Sequence, residues 1–157
     1  TFISRSSNDT VDKVSVFLDV DNTIVDPFYQ NSLTGNIVRA YLYSVSGGLP
    51  NTLVATSTTT YSPSQIVGKD FINFEFNYSV TASTTLALVI AESLSSSCIS
   101  VMRWKKSNTA FTSGKAIYKY SGSWANLYGS ADYDFYFKIH YTGLSTPSDT
   151  NVAIGYY

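Results

Sequence analysis

Between Tyr133 and Tyr141 every second side chain is aromatic or apolar: Tyr133, Phe135, Phe137, Ile139 and Tyr141, with Asp134, Tyr136, Lys138 and His140 between them. Strand side chains alternate with period two, so the first set shares one face. A face that apolar has to be covered by a second sheet. Just upstream, Tyr118 and Tyr120 alternate ahead of Ser121-Gly122 and Trp124, which predicts a hairpin turning at the Ser-Gly pair. The stretch from 118 to 141 therefore demands a sandwich, and the rest of the chain must supply its other layer.

The remaining segments fit that demand. Val14, Val16 and Leu18 alternate with Lys13, Ser15 and Phe17; Val38, Ala40 and Leu42 alternate with Arg39, Tyr41 and Tyr43. Ile72, Phe74, Phe76 and Tyr78 give the cleanest alternation, and Leu86 to Ala91 is continuously apolar, as in a central strand covered on both faces. Asp19 to Asn36 reads as a long loop, Gly47-Gly48-Leu49-Pro50 as a break, and residues 51–57 as a short strand. No window carries a sustained helical stripe. The expectation is an all-β chain, an antiparallel β-sandwich with jelly-roll-like connections and about eight to ten strands. Residues 1–11 read as an N-terminal arm, 12–142 as the sandwich, and 143–157 as a Ser/Thr/Pro linker plus a C-terminal strand.

Composition narrows the function. Charged residues are 13% of the 157, against about 25% in an average soluble domain, and the formal net charge is −1. No basic cluster exceeds Arg103-Trp104-Lys105-Lys106, so neither a nucleic-acid footprint nor a polybasic membrane anchor is expected. No apolar run reaches the roughly 18 residues of a membrane span. An uncharged polar surface rich in Tyr fits an extracellular surface or a virion. Cys98 is the only cysteine, which excludes an intrachain disulfide and reads as a buried, inert thiol. The start at Thr1 reads as a processed product or a piece of something longer.

The loudest motif runs from Val16 to Asp26, where an apolar strand leads into Asp19-Val20-Asp21-Asn22-Thr23. It fits the first motif of haloacid-dehalogenase-type phosphatases, in which Asp19 would be the nucleophile and Asp21 the acid/base. That chemistry needs parallel strands alternating with helices, and the sequence after Asp26 does not read as a helix. Asp19, Asp21, Asn22 and Asp26 also offer hard oxygen ligands for Ca²⁺, although Ile24 and Gln30 stand where an EF-hand needs Gly and Glu. A solvated Asp/Asn-rich turn is the plainer alternative.

Aromatic side chains suggest a second kind of site. Trp104, Tyr118, Tyr120, Trp124, Tyr128 and Tyr136 are candidates for stacking on sugar rings, with Asn126 and Asp134 to take hydroxyls. Core packing by Trp124 and ordinary sheet surface for the tyrosines are the alternatives. His140 is the only histidine, so a metal site there is not expected. A Ser-His-Asp triad has no GxSxG elbow to support it, and Glu75 and Glu92 are the only two Glu available for glycoside cleavage.

Gly48-Leu49-Pro50-Asn51-Thr52-Leu53-Val54-Ala55, Phe74-Glu75-Phe76, Leu86 to Ile90, then Phe111, Gly114, Trp124 and Asp134-Phe135-Tyr136-Phe137-Lys138 occur in an order that resembles a group of jelly-roll modules. These belong to secreted and cell-surface bacterial proteins and to phage structural proteins, and the resemblance spans roughly residues 12 to 141. It implies display, adhesion or particle structure, and no catalytic residues. The expected function is thus a non-enzymatic module of a virion or extracellular surface assembly, with a carbohydrate-binding or adhesion module as the alternative and a hydrolase as a distant third. Val152, Ile154 and Tyr156 lie on one face of the terminal strand. They are the expected assembly contacts, to a second copy or a neighbouring module.

Overall fold

A computed structural model of the chain describes residues 2–3, 8–20, 27–94, 101–104, 106–107, 117–120, 122–126 and 134–142. The strands are β1 (Phe2–Ile3), β2 (Asp9–Val16), β3 (Leu18–Val20), β4 (Ile37–Ser46), β5 (Leu49–Thr56), β6 (Ile72–Val80), β7 (Thr85–Ser93), β8 (Met102–Trp104), β9 (Lys106–Ser107), β10 (Ile117–Tyr120), β11 (Ser123–Asn126), β12 (Asp134–Phe135) and β13 (Phe137–Tyr141). One α-helix, α1, spans Pro27–Gly35. Two antiparallel sheets, of order β1-β7-β4-β5 and β13-β2-β6, pack face to face; shorter pairs β3-β8, β9-β12 and β10-β11 complete the description.

The alternations choose the inward faces. Val38, Ala40 and Leu42 of β4 meet Val14 and Val16 of β2 and Phe74 of β6 in one core. Burying each large side chain there is worth about 1.5–3 kcal/mol. A register shift between Val11 and Lys13 lets Val11 and Val14, three apart, both face inward. Phe135, Phe137, Ile139 and Tyr141 are buried, as their period predicts. Strand β7 is interior to its sheet and buried on both faces: Leu86, Leu88 and Ile90 join the main core, while Ala87 and Val89 pack outward against Tyr41, Tyr43, Val45 and Trp124.

Three expectations need correction. Residues 19–36 are not all loop, because Leu18–Val20 is a strand and Pro27–Gly35 a helix. Pro27 opens that helix, where its missing N–H costs nothing. Packing holds it: Ser32 is fully buried, and Asn36 donates its N–H to the Ser32 carbonyl and its Nδ2 to Glu92 Oε1, at 2.7 Å. Gly47-Gly48 does not end the sheet but makes a two-residue turn, with φ of +59° and +79°, between the paired Ser46 and Leu49. Pro50 then lies on an edge strand, where proline is tolerated. Finally, residues 1–11 are not an arm separate from the sandwich: Phe2 and Ile3 pair with Leu86 and Thr85, and β2 already begins at Asp9.

The connection from β5 to β6 laces the layers together. Ser57 Oγ accepts the Ala40 N–H from β4, Thr58 N–H donates to Glu75 of β6, and Tyr61 bridges to Val38 while its hydroxyl donates to the Asn73 carbonyl at 2.8 Å.

Candidate functional site

The outer face of the β13-β2-β6 sheet brings together side chains that the sequence keeps far apart. Register dictates its rows. Phe137, Val16 and Ile72 pair across the three strands and point inward. One residue further along each strand, Tyr136, Phe17 and Phe71 must point outward together. Their rings form a continuous row: Phe17 lies 5.6 Å from Phe71 and 6.2 Å from Tyr136, centroid to centroid. Phe17 N–H donates to the Tyr136 carbonyl at 3.0 Å, fixing the row's spacing. Tyr136 is 43% exposed and Phe71 38%.

Polar rows follow. Lys138, Ser15 and Asn73 pair next, then His140, Lys13 and Glu75. Ser15 is only 4% exposed. Its hydroxyl donates to Asn73 Oδ1 at 2.6 Å and lies 2.8 Å from His140 Nε2. Since the one hydroxyl proton goes to Asn73, neutral His140 donates its Nε2–H to Ser15. That is the reverse of base activation, so the pair is no nucleophile with its base. Burial, then Lys13 and Lys138, hold the His140 imidazole below its ordinary range, with Asp12 opposing. Lys138 reaches across β2 to set its ammonium 4.9 Å from the Phe71 ring centroid. This is a cation–π contact at the border of the aromatic row.

The aromatic candidates divide. Tyr136 belongs to the row. Trp104 is withdrawn from it: the indole is buried, stacks on Phe135 at 4.7 Å, and donates Nε1–H to the Tyr136 carbonyl at 3.1 Å, so no sugar can reach its face. Trp124 packs edge-on to Tyr43 at 6.3 Å, with Lys119 Nζ 5.4 Å from its ring centroid, and closes the smaller core over Ala87 and Val89. The hairpin carrying it pairs Tyr120 with Ser123 about Gly122, as predicted. Tyr118, Tyr120, Asn126 and Asp134 are described through their strand pairing alone. Tyr128, Cys98 and the C-terminal Val152, Ile154 and Tyr156 lie outside the described residues.

Asp19 pairs with Arg103 across β3 and β8, and its Oδ1 accepts the Val20 N–H at 3.0 Å. Asp21, Asn22 and Asp26 lie outside the described residues, and among the described residues no three His, Cys, Asp or Glu gather as a metal site. A helix does follow the aspartate motif, contrary to expectation, but the pairings on either side of it are antiparallel, unlike the parallel sheet the phosphatase motif requires. No helix among the described residues is long and apolar enough to cross a membrane.

Phe17 and Phe71 are missed by sequence reasoning. The signal was present: each is out of phase with its strand's apolar set, as Tyr136 is, and antiparallel pairing puts those three strand ends side by side. Searches against known proteins add no relative, since no family model, no curated protein and no solved structure matches the chain.

Proposed function

We propose that the chain is a non-enzymatic attachment module of a virion or extracellular surface assembly, with the outer face of the β13-β2-β6 sheet as its contact surface. The observation that carries this reading is the row of Phe71, Phe17 and Tyr136 on a face that would otherwise be polar. Antiparallel sheets with one face in water normally place polar residues there, and grouped exposed aromatics mark interaction sites. The resemblance to jelly-roll display modules points the same way. The N-terminal strand pairs within its own sheet, and the alternating Val152, Ile154 and Tyr156 remain the proposed anchor to an assembly. Aromatic planes beside amide, imidazole and ammonium groups favour a carbohydrate as the attached partner.

The test compares the wild-type chain with the Phe71→Ser/Tyr136→Ser double variant, by sedimentation velocity and by retention on immobilised polysaccharides. The double variant should lose the association that the wild type shows while keeping its melting temperature. Undiminished association by the variant, or none by the wild type in either assay, contradicts the reading.

A further inference from the structure

We infer that the ligand of this face is an acidic saccharide, whose ring stacks on the Phe17–Phe71–Tyr136 row while its anionic substituent meets the Lys138 ammonium. This rests on the contact surface proposed above and adds the ligand's chemistry. Sugar rings present C–H faces to aromatic planes, and a row about three strands wide spans about 10 Å at the usual strand spacing, the scale of one or two sugar units.

Charge then selects among saccharides. The chain as a whole is slightly acidic, with a formal net charge of −1, so it has no general attraction for polyanions. Lys138 is nonetheless held at the border of the row, over Phe71. Among the described residues, neither it nor Lys13 is held in an ion pair. The opposing carboxylates stand elsewhere: Glu75 lies a row further on, opposite Lys13, and Asp12 acts on His140. Asp70 directly precedes Phe71 and Lys69 directly precedes Asp70, so this pair adds no net charge at that end of the row. An anion on the stacked ring therefore meets a cation first. Asn73 and the partly exposed His140 flank that cation and can serve neighbouring hydroxyls.

Binding is measured by biolayer interferometry on three surfaces: hyaluronate for a carboxylate, dextran sulfate for a sulfate, and dextran as the neutral control. The wild type should bind at least one acidic polymer about tenfold more tightly than dextran, the scale of one charge-assisted hydrogen bond. The preference should shrink at high salt. Lys138→Gln should remove the preference for the acidic polymers, whereas Phe71→Ser/Tyr136→Ser should lose binding to all three. Preference for hyaluronate alone or dextran sulfate alone supports the inference and names the anion. Equal affinity for all three surfaces, or a preference that survives Lys138→Gln, overturns the acidic ligand and leaves the contact surface standing. Unchanged binding by the folded aromatic double variant, or no binding by the wild type, overturns both.

Discussion

Trp104 stacks on Phe135 with ring centroids 4.7 Å apart and planes 22° from parallel, at the point where strand pairing changes hands. On one side of it β13 pairs with β2; on the other, β3 pairs with β8 and β12 with β9. The Trp104 Nε1–H and the Phe17 N–H both donate to the Tyr136 carbonyl, at 3.1 and 3.0 Å. The buried stack thus lies at the one-residue break between β12 and β13 where Tyr136 of the exposed aromatic row sits.

Trp104→Ala should cost about 3–5 kcal/mol, the usual range for a buried Trp. Trp104→Phe, which keeps most of the stack and loses the hydrogen bond, should cost nearer 1 kcal/mol. Urea unfolding measures both. Equal losses would mean that stacking on Phe135 contributes little.

Phe137 is 1% exposed and pairs with Val16 at the row beneath the aromatic face. Phe137→Ala should cost about 3–5 kcal/mol, a large share of the stability of a typical domain. An unchanged melting temperature would refute the inward register of β13.

His140 sets a pH dependence. Burial first, then Lys13 and Lys138, keep its folded-state pKa below the ordinary 6.5. The unfolded chain therefore takes up this proton more readily than the folded one, and stability rises with pH between the two values. The His140 contribution is complete above pH 6.5 and is lost as pH falls through the depressed folded value. His140→Gln should flatten the urea midpoint from neutral to mildly acid pH. The same slope in both proteins would assign the dependence to other groups.

The alternation of β2, β4, β6 and β13 was legible because each strand sends alternate side chains into the main core. The continuous apolar run of β7 was legible too, as cover on both sides. Helix α1 was not: Pro27-Phe28-Tyr29-Gln30-Asn31-Ser32-Leu33-Thr34-Gly35 lacks a helical stripe. Its hold on the core runs through Ser32 and through Asn36 bonded to Glu92, far apart in sequence. Trp104 looked like a sugar platform because residue type does not reveal that its ring is buried, while Trp124 is only partly covered, by Tyr43 and the smaller core. Phe17 and Phe71 are each a single off-phase aromatic in the sequence, which is commonplace; only the pairing of β2 with β6 and β13 turns them, with Tyr136, into a surface.

Residues 151–157 test the proposed anchoring. Deleting them should leave the sandwich folded and weaken self-association or attachment to an assembly, read by thermal melts and sedimentation velocity. Loss of cooperative unfolding would place Val152, Ile154 and Tyr156 in the chain's own core instead.

The most direct test of the contact face is an NMR titration of the isotope-labelled wild-type chain with hyaluronate oligosaccharides and, in parallel, sulfated dextran oligosaccharides. The largest amide and side-chain shifts with at least one ligand should fall on Phe17, Phe71, Tyr136 and Lys138, with smaller ones on Asn73 and His140. Shifts centred on the Trp124 hairpin, or an outer β13-β2-β6 face left unperturbed by both at saturating ligand, would contradict the account.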